Sequence, residues 1–147
     1  MNCRELAEEV GFELRQMQRL AEMAKAMAAV SASERRPWDA MAAAKCITDV
    51  YRGLENLWKR LCIHSGGEFP SGPDSHAMIL SAFLAEPELG GRLSREMANR
   101  LKLYKDFRHR FVHGYGFEVT WELVAEPLAL LPDTVEELHR VWLNFIA

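Results

Sequence analysis

Apolar residues recur at helical spacing along most of the chain. Leu6, Val10, Leu14, Met17, Ala21, Ala24 and Ala28 form a stripe at intervals of three and four, which predicts a first helix from about Cys3 to Ala32. Phe12, Leu20, Met23 and Met27 widen its apolar surface beyond that stripe, enough for either a broad internal core or a second subunit. Ser31 to Arg36 is polar and ends at Pro37, a residue suited to the first turn of a helix, so a hairpin is expected there. The next helix, about Pro37 to His64, carries Ile47, Val50, Tyr51, Leu54, Leu57, Trp58 and Leu61, the clearest core pattern in the sequence. Glu55 flanks that stripe one turn from Lys59, an orientation that suits a surface ion pair worth roughly 0.2–0.5 kcal/mol.

Residues 66 to 73, Gly-Gly-Glu-Phe-Pro-Ser-Gly-Pro, are dense in turn formers and predict a loop. Asp74 or Ser75 should cap a short helix to about Leu84, with Met78, Ile79, Ala82 and Phe83 as its apolar face. Ser94 should cap a fourth helix whose buried face is Met97, Leu101, Tyr104 and either Phe107 or Phe111. Gly114 follows its last periodic residue, where a left-handed C-cap is expected. Thr120 can cap a last helical region interrupted by Pro127 and Pro132, with Leu128, Leu131, Val135, Leu138, Val141, Trp142 and Phe145 buried. No strand candidate and no fixed-period repeat emerges. The expected fold is all-α: a single domain over residues 1–147, an antiparallel up-and-down bundle of four long helices plus a short one.

A hydrophobic content of 49% is enough for a sizeable core. The formal net charge of -3 excludes a generally basic nucleic-acid binder, because nonspecific affinity comes from neutralised phosphates. Any RNA contact must be local. Residues 95 to 110 supply a place for it, with six Lys or Arg against only Glu96 and Asp106. Cys3, Cys46 and Cys62 lack metal-site spacing and read as reduced thiols. With no signal-like N-terminus and no run of roughly 18 apolar residues, a soluble cytoplasmic protein without a membrane span is expected.

Chemistry concentrates at the end of the fourth helix. Arg108 and His113 lie about 140° apart around an ideal helix and about 7.5 Å apart along it. They can line one shallow site once the chain unwinds after His113, and a two-fold partner can bring a second Arg and His to face them. An arginine that grips a phosphate and a histidine that moves a proton suffice to cleave RNA through the ribose 2′-hydroxyl without a metal. His109 and His113 also stand four apart, a spacing that lets two imidazoles share a metal, but no further ligands accompany them and neither a metal nor another cofactor is expected.

Arg108-x4-His113-x-Tyr115 resembles the R-x4-H-x-Y pattern of the HEPN superfamily, and its place on the penultimate helix of a short helical chain resembles the HepT-like branch. Tyr-Gly-Phe-Glu-x-x-Trp-Glu at 115 to 122 and Leu131-Pro132 extend the resemblance over most of the C-terminal half. The resemblance implies a homodimeric, metal-independent ribonuclease toxin of a toxin–antitoxin pair, cleaving RNA with transfer RNA as a candidate, and neutralised by a minimal nucleotidyltransferase (MNT). It implies Arg108 as phosphate holder, His113 as acid/base and Tyr115 as the tyrosine the partner adenylylates. His109, Arg110, Lys105 and Glu55 are the supporting or RNA-binding candidates. His109 stands where many ribonuclease members carry Asn or Asp, and a second reading therefore stays open: a noncatalytic antitoxin or substrate-binding partner of the nucleotidyltransferase.

Overall fold

A computed structural model describes residues 3–114 and 118–147. Five α-helices follow one another: α1 (Cys3–Ala28), α2 (Asp39–Ser65), α3 (Ser75–Ala85), α4 (Arg95–His113) and α5 (Trp121–Ile146), with single 3-10 turns at Ala32–Glu34 and Gly90–Arg92. No strand occurs among the described residues. The architecture is the all-α bundle the sequence predicts. α2 is central: α1, α3, α4 and α5 all pack against it, and α1 and α5 pack against each other.

The helical stripes become the core with a few exchanges. Leu6 to Ala24 of the α1 stripe are buried, but Ala28 is exposed in the last turn. Of the extra apolar residues on α1, Leu20 and Met27 pack against the internal core, whereas Phe12 and Met23 remain exposed. α2 starts at Asp39 rather than Pro37, with the Asp39 carboxylate accepting from the Arg36 amide at 2.9 Å. On α3, Leu80 is buried in place of the expected Met78, which is exposed. Phe83 of α3 stacks on Trp142 of α5 at 6.1 Å and meets Trp58 of α2 edge-on at 6.3 Å, so three helices converge on one aromatic cluster.

Both prolines of α5 are accommodated without ending it, and the helix runs unbroken from Trp121 to Ile146. Each proline removes one amide donor from the helical ladder, and the packing of Leu128, Leu131 and Val135 into the core outweighs that loss. Tyr104 of α4 ties into this stretch: its hydroxyl donates to the Pro127 carbonyl at 2.8 Å and lies 3.4 Å from the Thr134 hydroxyl. Burial is the main cause that pushes the Tyr104 phenol up to about 12. The unfolded chain releases this proton near pH 10, whereas the folded protein holds it. The contribution is therefore complete below pH 10 and is lost as pH rises towards 12, by about 2–3 kcal/mol. Urea midpoints are expected to fall over that interval, and to fall less steeply in Tyr104→Phe.

Candidate functional site

α4 is placed by its own sequence. The Ser94 hydroxyl accepts from the Met97 amide at 3.1 Å and caps the first turn, a contact worth about 1 kcal/mol. Met97, Leu101, Tyr104 and Phe107 are buried, and Phe111 is half-buried, stacked on Phe107 at 6.4 Å. Arg100 reaches α5, donating to Asp133 at 2.8 Å and to the Thr134 hydroxyl at 3.3 Å. These contacts fix the helix about its axis and leave Arg108 facing α3.

There Arg108 meets a partner that the sequence did not announce. Its Nη1 lies 3.0 Å from Nε2 of His76, and Nδ1 of His76 lies 2.5 Å from Oε2 of Glu55. A guanidinium has only donors, so Nε2 of His76 accepts, and Nδ1 carries the proton that it donates to Glu55. Three helices thus contribute one chain of hydrogen bonds: the carboxylate from α2, the imidazole from α3 and the guanidinium from α4. Glu55 is 7% exposed. It lies one turn after the buried Tyr51, on the inward side of α2, which is why it does not form the surface pair expected with Lys59. The Lys59 ammonium instead lies over the Phe69 ring at 5.6 Å.

Two polar atoms beside this chain, Nε of Arg108 and the Tyr51 hydroxyl, are buried without a hydrogen-bond partner among the described residues. Burial first, and then the negative charge of Glu55, push the Tyr51 phenol up, with Arg108 opposing. Tyr51 is therefore held in its neutral form. Arg108 and His76 open onto a cavity of about 130 Å³ that is also lined by Lys105, His109, Asp74 and Asp106.

The motif residues divide between two sides of α4. Lys105, Arg108 and His109 share the cavity. His109 and His113 are ring neighbours, with centroids 4.6 Å apart, so His113 stands next to the cavity's edge without lining it. Arg110 faces the other way, onto a groove of about 400 Å³ between α4 and α5 that Glu122 and Glu126 also line. Tyr115 lies outside the described residues. α4 ends at Gly114 in extended backbone (φ -103°, ψ 175°), not in the left-handed cap expected. Glycine is required there for space, because a Cβ would come within 2.9 Å of the Arg110 carbonyl. The left-handed glycine cap occurs instead at Gly66, after α2, with φ 74°.

The buried thiols are not nucleophiles. Burial, with a further contribution from Asp49, pushes Cys46 up to about 11, and its Sγ donates to the Leu20 carbonyl at 3.3 Å.

The chain is thus a small helical bundle whose penultimate helix ends on Arg108-x4-His113, with the arginine tied through His76 to Glu55 of the central helix. The family model described as "HepT-like protein" matches residues 42–147, and the chain belongs to that family. The match includes α3, α4, α5 and all but the first residues of α2, and so every residue of the site. No curated protein and no solved structure matches the chain.

Proposed function

We propose that the protein is a metal-independent HEPN-type ribonuclease, the toxin of a toxin–antitoxin pair, with Arg108 holding the scissile phosphate and His113 moving the proton. The observation that carries this reading is the Glu55–His76–Arg108 chain. It spends Nη1 of the guanidinium on His76 and leaves Nη2 for an anion, while the carboxylate behind fixes the imidazole and through it the arginine. A preorganised cation is worth most where negative charge develops on phosphate oxygens in the transition state. In the reaction, a histidine takes the proton from the ribose 2′-hydroxyl, the 2′-oxygen attacks phosphorus, and the 5′-oxygen leaves with a proton from a second acid. The products are a 2′,3′-cyclic phosphate and a 5′-hydroxyl.

His113 sits one residue row away from the Arg108 cavity, so one protomer offers phosphate grip and proton carrier on adjoining surfaces. A homodimer completes the site by setting the His113 of one protomer against the Arg108 of the other. Met78 and Val112, exposed on the two helices that carry the site, are apolar surface that such a dimer would cover. The partner that silences the toxin is an MNT-type nucleotidyltransferase acting on Tyr115.

The same separation of His113 from the Arg108 cavity favours the second reading, a noncatalytic partner of the nucleotidyltransferase that presents the basic face of α4. Total transfer RNA incubated with the purified protein in EDTA decides between them. The ribonuclease yields discrete fragments ending in 2′,3′-cyclic phosphate. An unchanged RNA ladder, together with a stable complex with the nucleotidyltransferase, selects the binding partner.

A further inference from the structure

In the last turns of α2, a second cluster joins the first two helices. Arg60 donates to Glu9 at 3.1 Å and to Glu13 at 2.9 Å, and Nε2 of His64 contacts Oε2 of Glu9. The His64 side chain is only 10% exposed. Glu5 stands one turn before Glu9, and one carboxylate oxygen from each of the two glutamates lies with a ring nitrogen of His64 inside a 4.8 Å span. Like charges one turn apart on a helix are unfavourable.

We propose that Glu5, Glu9 and His64 form a binding site for a divalent transition-metal ion of the zinc type, which clasps α1 to the end of α2. One imidazole nitrogen and two carboxylate oxygens are ligands such ions accept, at bonds of about 2.0–2.2 Å, and the observed span closes around an ion with small side-chain rotations. Arg60 is the outer support. By holding Oε1 of Glu9 it turns Oε2 towards His64, the orienting role that groups behind metal ligands perform. Three protein ligands leave a coordination position for water.

The sequence reading expects no metal here because Glu9 and His64 are 55 residues apart and meet only through the α1–α2 hairpin. The site is also separate from the RNA chemistry, since Glu55 and His64 lie nine residues or about 13 Å apart along α2.

The test is thermal unfolding of the metal-free protein with increasing zinc, with cobalt(II) as a spectroscopic probe. The wild type is expected to melt several degrees higher with zinc and to give a visible cobalt absorption of low-symmetry coordination. Both responses are expected to disappear in His64→Ala and in Glu9→Gln, each compared with its own metal-free melting point. They are expected to persist in a His109→Ala, His113→Ala double variant. If His64→Ala fails to fold, His64→Gln and Glu9→Gln carry the same comparison. No response in the wild type, or one that survives loss of His64 and vanishes with the His109–His113 pair, overturns the proposal.

Discussion

RNA cleavage is expected to fall about 10²- to 10⁴-fold in His113→Ala, and by a similar factor in Arg108→Ala, with both variants folded. General acid–base groups contribute factors of this size, and so do preorganised charges aimed at a developing anion. The two losses should differ in kind. His113 is exposed at the end of α4 and its ring touches His109, so its removal leaves the bundle intact and acts on the proton-transfer step. Arg108 is half-buried and hydrogen-bonded to His76, so Arg108→Lys is also expected to be weak: an ammonium cannot keep the His76 contact and present a planar fork to phosphate at once. Single-turnover rates on one transfer RNA, with circular dichroism of each variant, check both statements. A variant that cleaves at the wild-type rate removes its residue from the reaction.

The second large effect is on stability. Trp142 is fully buried and stacked on Phe83, with Phe145 edge-on at 5.9 Å. Trp142→Ala is expected to cost about 3–5 kcal/mol and to lower the melting temperature by roughly 10–15 °C. The loss has a functional side, because Phe83 belongs to the helix that presents His76. Loosening α3 unseats the imidazole between Glu55 and Arg108, so RNA cleavage should fall at temperatures where the variant is still folded. The Trp142 indole nitrogen is buried without a partner among the described residues, so Trp142→Phe gives up little polar contact and is expected to cost much less than Trp142→Ala. Calorimetry of the two variants measures the difference directly.

The bundle was legible in the sequence because each long helix carries its own stripe, and a stripe of Leu, Val, Ile and Met has few ways to be buried. Ser94 was legible as a cap because one side chain and one amide three residues on decide it. What local pattern could not supply was pairing across elements. Glu55 reads as a surface charge beside Lys59 until His76 is placed over it, and His76 comes from a short helix after a glycine- and proline-rich loop whose path no periodicity specifies. The motif showed which residues cluster at the end of α4, but not which of its sides each one takes. The helix rotation set by Tyr104, Phe107 and Arg100 turns Arg108 towards α3 and Arg110 towards α5. The ending of α4 was misread for a similar reason: the glycine there satisfies a close approach to the Arg110 carbonyl, which sequence spacing does not distinguish from a left-handed cap.

In the proposed ribonuclease, Arg108 of one protomer and His113 of its neighbour work in one site. The most direct test co-expresses Arg108→Ala and His113→Ala chains under different affinity tags, purifies the mixed dimer through both tags, and measures cleavage of transfer RNA in EDTA. The mixed dimer is expected to cleave well above either mutant homodimer, because one intact arginine and one intact histidine would meet across the interface. A mixed dimer no more active than its parents, or the absence of any species carrying both tags, would contradict it.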